Sequence, residues 1–239
     1  MKKLILISTL ILGACTSAQI SQTLSGVNQT MGGEQPLSTS EVGEGLKEAL
    51  IKGISNGADL ASQADGYFKN PEIMIPFPPE VKKVEDKLRQ LGLGGKVDQF
   101  VLTLNRGAED AAKEAKPIFI SAIKQMTIED AWGILKGEQN AATNYLRRTT
   151  STQLKEKFSP VIQTSLDKVS ATKYYGDVTN TYNKIPFVEK VNPDLNSYAT
   201  DKAIEGLFTM IANEEKNIRE NPSSRTTELL KRVFGSQKY

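Results

Sequence analysis

The chain has 239 residues, with 30 Lys and Arg against 28 Asp and Glu, one cysteine and no histidine. Without histidine there is no Ser-His-Asp or Cys-His catalytic arrangement and no His-ligated zinc. The charge balance argues against nucleic acid, which is bound through clustered Lys and Arg. Carboxylates, Lys, Tyr, Ser and Thr remain as possible catalytic groups, and neither a metal nor a cofactor is expected.

Lys2 and Lys3 precede an apolar run from Leu4 to Leu12, followed by Gly13, Ala14 and Cys15. A basic start, a short apolar core and small residues at a cleavage point make a secretory signal. The run is shorter than the roughly 20 residues that span a bilayer. Leu12-Gly13-Ala14-Cys15 resembles the bacterial lipobox, in which the signal is removed and the cysteine becomes the lipid-carrying first residue. The resemblance implies a signal peptide at 1–14 and a durable three-chain anchor on Cys15, since two or more chains hold stably. Thr16, in place of an Asp, favours the periplasmic face of the outer membrane. The alternative is an ordinary secretory signal with a chance cysteine.

Cleavage removes two lysines and no acid, so the mature chain carries 28 charges of each sign. Residues 15–37 are rich in Ser, Thr, Gln and Gly and read as a flexible tether with a reach of roughly 25 Å. The folded part is expected from 38 to 235 as one helical domain, leaving 236–239 as a tail.

Leu46, Ala49, Leu50 and Ile54 recur at helical spacing after Ser38-Thr39-Ser40-Glu41. Pro71, Pro76, Pro78 and Pro79 forbid a helix over 66–79, and the alternation of Ile73, Ile75 and Phe77 predicts an extended segment laid on the domain. A helix from Pro79 to Leu91 follows, with Gly92 as its stop. Val97, Phe100, Val101, Leu104, Ala108, Ala111, Ala112 and Ala115 form the best helical pattern, continued through Ile118, Phe119, Ala122, Ile123 and Met126. Pro117 must kink this helix or split it. Thr127 to Asp130 resembles a capping box, and Gly137 ends the next helix. Helices are then expected at about 138–149, 151–171 and 194–220. Asn192-Pro193 and Asn221-Pro222 read as N-caps followed by proline, the second opening a helix with Leu229, Leu230, Val233 and Phe234 that Gly235 closes. Residues 172–193 read as irregular, with Tyr174, Tyr175, Tyr182, Pro186 and Phe187 packed over the helices. The pattern predicts an all-α, compact multi-helix domain with kinked helices and one short extended Pro-rich segment.

Several stretches together carry a family likeness: Leu104-Asn105-Arg106-Gly107-Ala108-Glu109, Thr127 to Gly137, Ala141 to Tyr145, Gly206-Leu207-Phe208, and Ile218 to Pro222 with Arg225-Thr226-Thr227. From about residue 40 to 235 the chain resembles the bacterial lipoprotein family filed as domain of unknown function 4197. The resemblance implies no reaction, cofactor or site.

The carboxylate pairs Glu109-Asp110, Glu129-Asp130 and Glu214-Glu215 are adjacent in sequence, so on a helix their side chains point about 100° apart. That is the wrong geometry for the acid and base of glycan hydrolysis, and no catalytic residue is assigned. Gly92-Leu93-Gly94-Gly95 lacks the preceding strand and following Gly-Lys of a phosphate loop and reads as a turn. Glu215 stands out. Ile204, Leu207, Phe208, Ile211 and Ile218 define an apolar stripe, and at about 100° per residue Glu215 falls near its centre. An ionised carboxylate is rarely buried without a partner. Arg219, one turn on, is the nearest candidate, and Arg148, which shares a face with Tyr145, is another. The expected arrangement is a buried polar network of Glu215, Arg219 and Arg148, with a ligand-lining carboxylate as the alternative.

Three functions stay open: a lipid-anchored envelope protein whose non-enzymatic helical domain binds a protein partner or has a structural role, a small-molecule or lipid-binding module, and a carboxylate-dependent cell-wall glycan hydrolase. An apolar cavity would favour the second, and an open acidic cleft the third.

Overall fold

The computed structural model describes residues 38–184, 186–187, 190–221 and 231. They belong to a compact unit that begins at Ser38. The chain is all-α, with no strand among the described residues. The helices are α1 (Thr39–Ala61), α2 (Lys82–Gln90), α3 (Gly94–Ala112), α4 (Ala115–Lys124), α5 (Ile128–Lys136), α6 (Ala141–Asp167), α7 (Ala171–Tyr182) and α8 (Leu195–Glu220), with a 3-10 turn at Pro79–Val81 before α2.

Local chemistry sets the helix starts. Ser38 caps α1 by accepting from the Glu41 N–H, while the Glu41 carboxylate accepts from the Ser38 N–H. Thr127 and Asp130 close the same reciprocal box at α5. Pro117 splits the long apolar pattern in two. It is the third residue of α4, where a missing N–H leaves no helical bond unmade. Gly92, at φ +79°, turns the chain between α2 and α3.

The core lies where α6 packs on α3 and α8, and where α1 packs on α8, α4 and α5. Leu46, Leu104, Phe119, Leu154, Phe158, Ile162, Leu207 and Phe208 are almost wholly buried there. Each such side chain contributes about 1.5–3 kcal/mol. Residues 62–78 cross the outside of α3 and α8 as turns and then an extended stretch. Ile73 and Ile75 are buried while Met74 and Pro76 are exposed, as alternation requires. Gly206 lets this segment lie on α8: a Cβ there would come within 2.9 Å of Tyr67 and 3.0 Å of Ile73.

Four expectations fail. The helices read at 138–149 and 151–171 are one helix, α6. The Thr-Thr-Ser run does not break it, because the hydroxyls of Thr149, Thr150 and Ser151 bond to the carbonyls of Tyr145, Leu146 and Arg147 one turn back. Pro160 also lies inside α6. Its cost of about 3 kcal/mol is outweighed by burial of Leu154, Phe158, Ile162 and Leu166. Within residues 172–193, read as irregular, the chain up to Tyr182 belongs to α7, whose buried stripe of Ala171, Tyr175 and Thr179 is too polar to stand out in sequence. The cap of α8 is Asp194, which accepts from the Ser197 N–H; Asn192 instead accepts from the Asp194 N–H in a turn before it. Phe187 and Tyr174 do not pack over the helices: Phe187 is fully exposed and Tyr174 is 65% exposed. Cys15, the signal, the tether and, apart from Asn221 and Lys231, the helix read from Asn221-Pro222 lie outside the described residues.

Candidate functional site

Glu215 is buried near the end of α8 and holds three helices together. Its Oε1 accepts from Arg219 Nε and Nη2 at 3.0 and 2.8 Å and from the Ala142 N–H at 3.0 Å. Its Oε2 accepts from the Thr143 N–H at 2.9 Å and the Thr143 hydroxyl at 2.8 Å. Ala142 and Thr143 lie in the first turn of α6, where N–H groups have no helical partner. The α6 N-cap residue, Asn140, makes no side-chain cap. Glu215 therefore caps α6 from a distance of 72 residues in sequence. Arg219 also donates to the Ile134 carbonyl of α5 at 2.9 Å. The adjoining void is about 10 Å³, too small for a ligand, so Glu215 is a structural group. Arg148 is not brought to it. That side chain is exposed and lies over the Tyr145 ring at 5.6 Å.

A second buried carboxylate, Glu109 of α3, has a similar set of partners. Its Oε1 accepts from the Tyr67 and Phe68 N–H groups at 3.1 and 3.2 Å, and its Oε2 accepts from Arg106. Arg106 also donates to Asp65 at 2.6 Å. The Lys69 ammonium first, then the Arg106 guanidinium, holds the Asp65 carboxyl below its usual range. One turn back along α3, Asn105 clamps Ile75 from both sides, accepting its N–H and donating to its carbonyl, each at 2.8 Å. The Tyr67 hydroxyl donates to the Ala203 carbonyl at 2.6 Å, and burial, with the Glu109 charge, pushes the phenol far up. Together these bonds pin the crossing segment to α3 and α8.

Sequence reasoning treated Glu109 only as half of an acidic pair. A signal was available: at about 100° per residue from Leu104, Ala112 falls at 80°, Asn105 at 100° and Glu109 at 140°, continuing the buried arc of α3.

At the end of the pinned segment Phe77 begins one wall of a groove of about 700 Å³. Phe77 packs on Phe100 of α3 with ring centroids 5.0 Å apart. Val81, Val84 and Leu88 complete that wall, Val97 and Phe100 form the floor, and Val169, Tyr174, Tyr175 and Val178 close the far side from the α6–α7 corner. The rim leaves large apolar groups in water, with Leu93 44%, Val169 40% and Val178 37% exposed. Burial, then the Glu80 charge, pushes the Tyr175 phenol up to about 12, so it stays neutral.

A shallower groove of mixed lining and about 500 Å³ lies between α5 and α6, with Glu129, Asp130, Asn144, Tyr145 and Arg148 among its residues. Asp130 is committed to the α5 cap. The Thr127 hydroxyl, then its N–H, holds that carboxyl below its usual range, which suits a hydrogen-bond acceptor and not a proton donor. Among the described residues no group of carboxylates is placed to hold a metal ion, and no helix is long and apolar enough to cross a membrane.

Residues 36–235 match the family model described as Protein of unknown function (DUF4197). The chain belongs to that family. No curated protein and no solved structure matches it. Two stretches of this DUF4197 domain that carry the likeness in sequence fall on the two buried carboxylates: Leu104 to Glu109 supplies Asn105, Arg106 and Glu109, and Ala141 to Tyr145 supplies the N–H groups that Glu215 caps.

Proposed function

We propose that the chain is a lipid-anchored envelope protein whose helical domain is a non-enzymatic binding module for an apolar ligand. The observation that carries this reading is the groove between the segment 77–88, α3 and the α6–α7 corner. Its volume of about 700 Å³ falls in the range of about 300–1,000 Å³ usual for small-molecule sites, and its lining is mostly apolar, as such sites are. The anchor is supported by the sequence around Cys15. The hydrolase reading loses support because Glu109, Asp130 and Glu215 are all engaged in holding backbone N–H groups.

The test is to purify the full chain from membranes, wash it extensively and extract it for mass spectrometry. Wild type is expected to carry an apolar molecule that Val84→Trp, which fills the groove, lacks at an unchanged melting temperature. Equal, background-level extracts from both proteins would reject the binding module. Metabolic labelling with an alkynyl fatty acid tests the anchor: wild type is expected to take up label and Cys15→Ala to take up none.

A further inference from the structure

We infer that the groove takes a single-chain amphiphile with an anionic head, such as a long-chain fatty acid, with the tail between Phe77, Phe100 and Val178 and the head at Lys96. This rests on the binding-module reading above and adds the chemical class of the ligand.

Among the described residues the lining contains one charged side chain, Lys96, and one amide, Gln99; the rest is aliphatic or aromatic. On α3, Lys96, Gln99 and Phe100 stand at i, i+3 and i+4, so one helix face sets the cation and the amide beside the apolar floor. The neighbouring acids do not neutralise that cation. Arg89 takes Glu85 at 2.9 Å and Asp98 at 2.9 Å, and Lys96 has no ion pair among the described residues. An acid on the Val81 side of the groove gives the ligand a direction. The Glu80 charge reaches Tyr175 and Tyr198, so an anionic head is repelled from that side and drawn to Lys96. The groove is walled by α2 with the 3-10 turn, by α3, and by the α6–α7 corner. Walls on three sides suit an inserted chain better than a broad protein face. Among the described residues that line the trough Lys96 is the one charged side chain, so a single head group is matched to a single tail.

The test uses the full chain in neutral maltoside micelles, irradiated with a 16-carbon diazirine fatty acid, the alcohol of the same length, or the corresponding trimethylammonium, with labelled peptides mapped by mass spectrometry. The acid is expected to label the α3 and α7 groove peptides about fivefold more than the alcohol, the worth of one exposed ion pair, and the cation least. Lys96→Gln should bring the acid down to the alcohol's level without changing the alcohol, and Lys96→Arg should restore it. Equal labelling by all three probes would overturn the anionic-head inference while leaving the binding module standing. No groove labelling by any probe would overturn both. Labelling that falls with protein concentration as a dimer forms, seen by sedimentation in the same micelles, would give the groove to a second copy and overturn the inference.

Discussion

Glu215 and Glu109 are built from the same parts and stand differently toward water. Each is a helix carboxylate with an arginine one turn away, and each accepts two consecutive backbone N–H groups from a distant part of the chain. Around Glu215 both charges are sealed, with side chains 4% and 7% exposed for Glu215 and Arg219. Around Glu109 the carboxylate is sealed but Arg106 is 40% exposed, and Asp65, its second partner, is 30% exposed. A sealed pair has no solvent to fall back on, so breaking it takes a buried charge from its closest opposite charge. A pair with one wet partner opens more cheaply. The first joins helices of the core; the second fastens the segment that leads through Phe77 into the wall of the apolar groove.

The largest effect is expected at the sealed pair. Glu215→Ala should cost about 3–5 kcal/mol, the usual result of removing one buried ionic partner, read as a fall in melting temperature or denaturant midpoint. A midpoint unchanged within error would reject the weld. Glu109→Ala should cost less, about 2 kcal/mol, because Arg106 returns to water and the main penalty is two unsatisfied N–H groups. Equal losses at the two sites would erase the comparison. Asn105→Ala should cost about 1–2 kcal/mol, with faster amide exchange confined to residues near Ile75. Exchange that rises equally across α1 and α8 would show that Asn105 supports the core and not the segment. The smallest effect is pH dependence at Asp65. Its folded-state value lies below the ordinary 3.8, so its contribution is complete above that value and is lost as pH falls through the lower folded value. The melting temperature of Asp65→Asn should therefore fall less steeply than that of wild type below about pH 4. Parallel curves would remove Asp65 from the latch.

The difference between the two sites also explains what the sequence could show. Glu215 interrupts a stripe of Ile, Leu and Phe, and a charge in such a stripe is conspicuous. Glu109 sits among Ala, Asn and Gly, whose small side chains bury without announcing an apolar face. The extended segment was legible because prolines and alternating isoleucines leave the backbone few choices. The partners of its Tyr67 and Ile75 were not, because Glu109 and Asn105 lie 42 and 30 residues away along the chain. The apolar groove was invisible for the same reason: its walls come from three separate stretches, one of them the α7 helix hidden by its Thr and Tyr content. Only a shared helix face with Tyr145 points Arg148 toward Glu215 in the sequence, and a face does not say which neighbour it meets.

Native-state hydrogen exchange of individual amides tests most directly the claim that one carboxylate welds the core while the other fastens an outer segment to it. The amides of Tyr67, Phe68 and Ile75 should exchange through a local opening at lower free energy and with little denaturant dependence. Those of Ala142 and Thr143 should exchange only with global unfolding. Equal protection at the two sets, with the same denaturant dependence, would contradict the account.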